Sequence, residues 1–286
     1  MRWVICAVAM LALAPRAYAG DLSILRGSEP TYHWGGFYGG VAAGYSSGFA
    51  TLGPAASPDI GFILRQTSIE ADQQISQWPV LGNRSPTSMN IGGFVGYNLE
   101  WENVILGTEV DYSHSPLSAH AAGALTRNFT DSGNIPAGHH YFYTLTAAAA
   151  ANFSMSDVLT FRARAGWEAG NFLPYFFGGL AIGRANVSSA ATVSYTATDF
   201  PDSQNPPLTP LPDLCYNTAA CPAADGTHGN STNGIIAYGA TMGLGVDIAM
   251  TSHWFVRGEF EHIYFAPINS VQFSVSSAHV GAGYKF

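Results

Sequence analysis

The sequence contains few charged residues. Asp, Glu, Lys and Arg together make up 10% of its 286 residues, whereas soluble domains usually contain about 25%. Glycine and aromatic residues are frequent instead, with 32 glycines and 13% Phe, Trp and Tyr. This composition argues against an ordinary soluble domain.

The sequence also lacks a long apolar run beyond its N-terminus. A helix that crosses a bilayer needs about 20 consecutive apolar residues, and no segment after the N-terminal region reaches that length. A transmembrane β-strand needs an apolar residue only at every second position, so its apolar residues are spread along the sequence. The two deficits together suggest a membrane protein built from β-strands.

The N-terminus has the features of a secretory signal peptide. Arg2 precedes an apolar stretch over residues 3–14, and Ala17-Tyr18-Ala19 matches an A-x-A cleavage pattern. A membrane anchor is the alternative, but the stretch is shorter than a spanning helix. We predict three parts of the chain: a signal peptide over residues 1–19, a short N-terminal segment over residues 20–33 and a barrel domain over residues 34–286.

Basic residues are scarce as well. The formal net charge is −8, and cleavage of the signal peptide would remove two arginines and no acidic residue. An acidic protein is a poor ligand for nucleic acid, because the phosphate backbone repels it. We therefore expect no nucleic-acid partner.

Cysteine is nearly absent from the exported chain, because Cys6 leaves with the signal peptide. Cys215 and Cys221 remain, six positions apart in a Pro-rich segment. In an oxidising compartment such a pair predicts a disulfide. A metal site that includes His228 is the alternative, but no His or Cys pair stands at ligand spacing beside the cysteines. We expect no metal and no cofactor.

Apolar and polar residues alternate with a period of two in most of the remaining chain. In residues 104–113 the even-numbered positions form a largely apolar face, and Glu109 and Asp111 lie on the opposite face. Such alternation is typical of a strand with one apolar face. Eight strands are predicted, over residues 34–49, 89–101, 104–113, 157–167, 172–187, 235–250, 254–265 and 271–286.

Three segments leave their structure or phase open. Both faces of residues 173–185 contain apolar side chains. The last strand changes parity near Ser274, and such a change requires a β-bulge. Residues 141–153 are either an extension of the fourth strand or an ordered loop, and their alanine run also has high helix propensity.

The connections between the predicted strands differ in length. Three are tight turns, at residues 101–103, 168–171 and 250–253, and they alternate with longer connections. The longer ones are predicted over residues 51–88, 114–157 and 188–234, with a shorter one over residues 266–270. Short turns on one side and long loops on the other are the plan of outer-membrane barrels. The predicted fold is all-β: an eight-stranded antiparallel transmembrane β-barrel with long extracellular loops and short periplasmic turns.

Tryptophan is concentrated at one end of the predicted strands. Trp34, Trp101, Trp167 and Trp254 all lie at the short-turn ends. Aromatic residues at this level form an interfacial girdle in membrane barrels. We predict that these four tryptophans form the girdle.

Five motifs, in order along the chain, resemble those of a known family. They are WGGFYGG at residues 34–40, GTEVD at 107–111, RARAG at 162–166, LPYFFGGLA at 173–181 and GAGYKF at 281–286. The sequence is similar to the porin-like outer-membrane β-barrel proteins of alpha-proteobacteria, which are relatives of the OmpA-type transmembrane domain. The first and third long loops are larger than is usual in that family.

The resemblance implies a location and a set of partners. Proteins of this family lie in the outer membrane of Gram-negative bacteria, among its phospholipids and lipopolysaccharide. Their last strand carries alternate apolar residues that the barrel-assembly machinery reads, and an exposed strand edge suits β-augmentation. Here that signal would consist of Val280, Ala282, Tyr284 and Phe286. The ligand of the loops is unknown.

Charged residues are predicted to meet in the barrel lumen. Paired carboxylates could act as general acid and base, but the interior of an eight-stranded barrel is just wide enough for side chains. Opposite charges in such a lumen are expected to pair and fill it. The predicted lumen charge cluster consists of Glu109, Asp111, Arg162, Arg164, Arg257, Glu259, Glu261 and Lys285.

Three classes of function are compatible with these features. The first is a structural, surface-exposed barrel that displays its loops, and the second is a narrow porin-like channel for ions or small solutes. The third is a lipid-modifying enzyme, for which Tyr112 to Ser115 (YSHS) and His262 are the candidate segments. Neither candidate has an evident orienting acid, so no catalytic residue is predicted.

Overall fold

The computed structural model describes residues 32–131, 135–202, 207 and 225–286. Eight antiparallel strands form a closed ring in sequence order, because the last strand pairs with the first. The predicted fold class is confirmed. The strands are β1 (Gly36–Thr51), β2 (Thr87–Trp101), β3 (Val104–Thr130), β4 (Tyr141–Trp167), β5 (Phe172–Asp199), β6 (Gly226–Ala249), β7 (Trp254–Phe265) and β8 (Gln272–Lys285).

The strands on one side of the ring are much longer than the others. β3, β4 and β5 contain 27, 27 and 28 residues, whereas β7 and β8 contain 12 and 14. The prediction of a long loop over residues 114–157 is therefore wrong, because β3 and β4 continue through most of it. Residues 188–234 are likewise partly strand, through the ends of β5 and β6. β3, β4, β5 and β6 therefore extend beyond the other strands, and we call this four-stranded extension the strand wall.

The alanine run of the fourth strand lies in this wall as strand. Ala147, Ala149 and Ala151 face inward and are buried, and they alternate with less buried alanines. Small side chains at these positions leave room for the first loop, whose core packs against them. Tertiary packing therefore overrides the helix propensity of alanine.

The structure also settles the two open phases. In β5, Leu173, Tyr175 and Phe177 point into the barrel, and Phe176 and Leu180 point outward. In β8 the register with β1 and β7 runs without a shift, so the expected bulge near Ser274 is wrong. Phe273 and Val275 are apolar and yet face inward, because the upper part of the barrel interior is an apolar core.

The apolar core is completed by the first loop, residues 52–86. This loop contains two short helices, α1 (Ser57–Ile63) and α2 (Ser68–Gln73), and two 3₁₀ turns, Gly53–Ala56 and Ile75–Gln77. Thr67 caps α2 by accepting a hydrogen bond from the Glu70 N–H at 3.3 Å. Within the described part of the chain, no helix has the length and apolarity to cross a membrane.

Buried leucine and isoleucine side chains hold the first loop inside the mouth of the barrel. Ile60, Leu64, Ile69 and Ile75 are buried in one cluster with inward side chains of the strand wall. The approach is close: a Cβ at Gly123 of β3 would lie 2.3 Å from the carbonyl oxygen of Val80. The loop therefore plugs the extracellular end of the lumen.

We expect Leu64→Asp to detach this plug, because a buried unpaired carboxylate is strongly unfavourable. Trypsin added to intact cells should then cleave after the exposed Arg65 much faster than in the parent. Ala71→Asp is the matched control, because Ala71 lies on the exposed face of α2. Equal cleavage of Leu64→Asp and the control would contradict the packing of the loop.

Candidate functional site in the barrel lumen

Below the apolar core, the middle of the lumen contains a layer of charged side chains. They project from β3, β4, β6 and β7, and each is at most 7% exposed. The ladder places acid beside base, since Glu109 pairs with Arg162 and Asp247 pairs with Arg257 across neighbouring strands. We define the lumen cluster by the residues that the structure brings together: Glu109, Asp111, Arg162, Arg164, Asp247, Arg257, Glu259 and Glu261.

Arg257 is the centre of this cluster. Its Nε and Nη2 donate to the two carboxylate oxygens of Asp247 at 2.9 and 3.1 Å, and its Nη1 donates to Glu109 Oε2 at 2.7 Å. The guanidinium also lies 3.9 Å from the ring centroid of Phe94. One guanidinium thus bridges the carboxylate of Glu109 on β3 and that of Asp247 on β6. Its contact with Asp247 is bidentate, a geometry that arginine can make and lysine cannot.

Arg164 joins the same two acids from β4. Its Nη2 donates to Asp247 Oδ2 at 2.7 Å, and its Nη1 lies 3.4 Å from Glu109 Oε2. Its guanidinium stacks on Tyr175 at 3.9 Å. Tyr38 completes the group by donating its hydroxyl to Glu109 Oε2 at 2.8 Å. Glu109 therefore has both charged and neutral donors, whereas Asp247 accepts hydrogen bonds from the two arginines.

Arg162 contacts the acids in the extracellular half of the cluster. Its Nη1 donates to Glu259 Oε1, and its Nη2 lies 2.9 Å from Asp111 Oδ1. Glu259 also accepts from the Tyr175 hydroxyl at 2.8 Å. Glu261 accepts from Thr241 Oγ1 at 2.7 Å and lies 3.8 Å from Arg162 Nε.

The cluster has more acids than bases. Five carboxyl groups face three guanidinium groups, and His279 Nδ1 lies 3.9 Å from Glu259 Oε1. Loss of an arginine therefore increases the excess of buried acid, whereas loss of a carboxylate reduces it. The three arginines are for this reason the more sensitive members of the cluster.

The structure changes the predicted cluster at two positions. Lys285 is on the lumen side of β8, but its ammonium lies 5.5 Å from the ring centroid of Tyr32, and it has no ion pair with any residue that the structure describes. Its assignment to the cluster is wrong, because it lies near the periplasmic mouth. The sequence-based prediction did not include Asp247 in the lumen cluster. Asp247 is the one acidic residue of β6, and it lies on the face opposite the apolar face of that strand.

The aromatic girdle also requires a correction. Trp101, Trp167 and Trp254 are 76%, 57% and 54% exposed on the outer surface, where a girdle needs them. Trp34 is 3% exposed and packs against Tyr32 and Phe255 inside the barrel. Its place in the girdle is wrong, because Trp34 precedes β1 and folds across the periplasmic end of the lumen.

Three groups of described residues bring Ser, His or acidic side chains together outside the lumen cluster. His114 pairs with Asp157 at 2.9 Å, so it has the acid that the sequence did not reveal, but Ser115 faces the opposite side of β3 and is buried. His262 lies 2.9 Å from Ser276 Oγ on the outer surface, and the structure pairs it with no acid among the residues described. In neither of these two groups does the histidine lie between a serine and an acid, as a triad requires.

The third group lies at the extracellular end. Asp59 of α1 is buried between Ser189 Oγ, which donates to it, and His228 Nδ1 at 2.7 Å. The acid here separates the serine from the histidine, whereas a triad needs the histidine between them. The group ties α1 to β5 and β6.

Cys215 and Cys221 lie outside the described residues, so their pairing stays a prediction.

The ends of β3 and β4 are joined by a polar contact on the extracellular side. The Tyr141 N–H donates to Asp131 Oδ1 at 2.9 Å, and His140 Nδ1 lies 3.0 Å from Asp131 Oδ2. The hydrogen bond from His140 lowers the pKa of the Asp131 carboxyl, and the same bond raises the pKa of His140. The two strand ends are thus held together at the surface.

Comparisons with known proteins agree with this architecture. The family model described as outer membrane protein beta-barrel domain matches residues 4–286. No curated protein matches the sequence significantly. Among solved structures, the N-terminal barrel domain of Pseudomonas aeruginosa OprF shares 11% identity, with 86% of this chain and 99% of that chain covered and a TM-score of 0.30.

Two further structures are similar at the same level. OprG of Pseudomonas aeruginosa shares 11% identity, covering 90% of this chain and 98% of that chain, with a TM-score of 0.34. Neisserial surface protein A shares 12%, covering 87% and 97%, with a TM-score of 0.31. Scores this low add nothing to the family match, which spans nearly the whole chain. The protein belongs to the outer membrane protein beta-barrel domain family.

Proposed function

We propose that this outer-membrane barrel is a structural, surface-exposed protein whose lumen does not conduct. The single observation that carries the proposal is the filling of the lumen at two levels. The lumen cluster occupies the middle, and the first loop with its apolar core occupies the extracellular end. A barrel of eight strands has little interior beyond such a filling.

The space between the two levels is small. A cavity of about 20 Å³ lies between Asp111 and Glu261 below and Leu117 and Val275 above. This volume is close to that of one water molecule. A steady ion current would need both the loop and the charge layer to move, which argues against the channel alternative.

The surface role follows from the extracellular wall. β3 to β6 extend beyond the other strands, and the ends of these four strands are the part of the described barrel that is presented to the outside. The alpha-proteobacterial origin, the cleavage of residues 1–19 and contact with lipopolysaccharide remain predictions within this proposal. A lipid-modifying activity is the less supported alternative, because in none of the three groups does a histidine lie between a serine and an acid.

Planar-bilayer recordings of the parent and Arg164→Ala test this proposal. We expect no steady current from the parent. Arg164→Ala removes a cation that joins β4 to Asp247, and it should admit brief or small currents where the parent admits none. Arg65→Ala, in the exposed part of the first loop, is the control and should stay silent.

The result can refute the proposal in two ways. Large, steady currents from the parent would establish the channel alternative. A silent Arg164→Ala variant that unfolds at the parent's temperature would show that the lumen cluster is not the barrier. Heat-dependent gel mobility should confirm in each case that the barrel is folded.

A further inference from the structure

We propose that Arg184 and the groove beside it bind a phosphate-bearing, acylated lipid of the outer leaflet. The proposal rests on the position of the barrel in the outer membrane and not on whether its lumen is closed. It therefore fails or succeeds independently of the conductance experiment.

The outward face of β5 locates Arg184 relative to the membrane. Phe172, Phe176 and Leu180 are exposed on this face, and Ile182 continues it before Arg184. The span from Phe172 to Ile182 is about 33 Å along a strand, and a tilt of about 40° reduces it to roughly 25 Å along the membrane normal, the height of the apolar band of such barrels. Arg184 is thus the first residue beyond the band, at the level of lipid headgroups.

The guanidinium of Arg184 is available to an external anion. Arg184 faces Asp157 of β4 and Ile236 of β6 in the ladder. Asp157 is already engaged by the Tyr112 hydroxyl at 2.7 Å, by His114 Nδ1 at 2.9 Å and by Ser156. Within residues 32–131, 135–202, 207 and 225–286, Arg184 has no ion pair.

The surface beside Arg184 has the shape and chemistry for a lipid. An open groove of about 400 Å³ runs over β4, β5 and β6, with Leu159, Ile182 and Ile236 as its apolar wall and Arg184 at one end. Gly234 stands next to the guanidinium with φ +70°, and a Cβ there would lie 3.5 Å from Arg184 Nη2. The positive φ accounts for glycine at this position, and the backbone there lies beside the guanidinium without covering it.

A lipid fits this groove better than a free anion. Guanidinium groups bind phosphate through two parallel hydrogen bonds, and the apolar wall would bury part of an acyl chain. The groove is continuous with the lipid-facing band, so an acyl chain in it would remain in the membrane. Among the described residues that line the groove, Asp157 is the only acid, and its carboxylate is already engaged by Tyr112, His114 and Ser156.

Native mass spectrometry of the folded protein in detergent can test the proposal. The probes are a bisphosphorylated lipid A, the same lipid after dephosphorylation, and inorganic phosphate. We expect the parent to retain the phosphorylated lipid about tenfold more strongly than the dephosphorylated one, since charge-assisted hydrogen bonds of this kind have that magnitude. Arg184→Gln should lose this preference, and Arg65→Gln should keep it.

Each other outcome contradicts the proposal. Equal retention of the two lipids by the parent, or an unchanged preference in Arg184→Gln, would rule out a phosphate contact at Arg184. Competition by inorganic phosphate at lipid-like concentrations would mean an anion site without a lipid component. Arg184→Lys keeps the charge without the bidentate geometry, and it should show an intermediate preference if Arg184→Gln folds poorly.

Discussion

Arg257→Met should lower the free energy of unfolding by about 3–5 kcal/mol, the usual cost of removing one partner of a buried ion pair. Methionine fills much of the space of arginine, so the loss reports on charge more than on volume. The substitution leaves Asp247 without its bidentate partner and Glu109 without a 2.7 Å hydrogen bond. Urea unfolding in lipid vesicles, followed by tryptophan fluorescence, measures this difference.

The matched control removes an acid from the same cluster. Glu261→Gln keeps the volume of the side chain and reduces the excess of carboxylates, and its amide can still contact Thr241. We expect it to change stability much less than Arg257→Met. An equal loss in the two variants would contradict the conclusion that the arginines limit the stability of the cluster.

Changing both Tyr284 and Phe286 to serine should lower the amount of folded protein in the outer membrane severalfold, while export across the inner membrane continues. Phe286 is 80% exposed on the outer surface, and Tyr284 contacts both Trp254 and Phe286 edge to face. Before the ring closes through the pairing of β8 with β1, β8 is an edge strand, and its outward aromatic residues are then available to a partner that adds its own strand. Surface labelling and heat-dependent gel mobility of cell fractions measure the effect.

A second pair of outward aromatic residues provides the control. Phe260 and Tyr264 of β7 are 49% and 52% exposed, so changing both to serine removes a similar lipid-facing area away from the last strand. If the control variant is depleted as strongly as the Tyr284 and Phe286 variant, the effect is a general loss of lipid contact. Recognition of the last strand by the assembly machinery would then have no support.

The local patterns of the sequence were sufficient for the barrel itself. Alternation with period two is a property of each strand alone, so Glu109 and Asp111 could be placed opposite Val110 and Tyr112 without knowledge of any neighbour. The tight turns followed from the same patterns. These features gave the strand number, the closed ring and most members of the lumen cluster.

Features that depend on contacts between distant segments could not be predicted from the alternation of residues within each strand. The alanines at 147, 149 and 151 lie in a strand on which the first loop packs, although that loop is about 60 to 100 positions earlier in the chain. Phe273 faces inward because the upper lumen is apolar where the first loop enters it. The sequence pattern alone left the alanine run open between strand, ordered loop and helix, and it interpreted the region of Phe273 as a change of parity near Ser274.

The sequence by itself therefore determined that this chain is an eight-stranded barrel with charges on its inner face, because strand alternation is local. Only the tertiary structure decided how those charges pair, that Asp247 joins them while Lys285 does not, and that Trp34 lies inside the barrel. Closure of the ring sets these contacts, since it brings β3, β4, β6 and β7 around one lumen. It also presents Arg184 at the edge of the apolar band, where the height of the whole barrel, and not any local motif, places it.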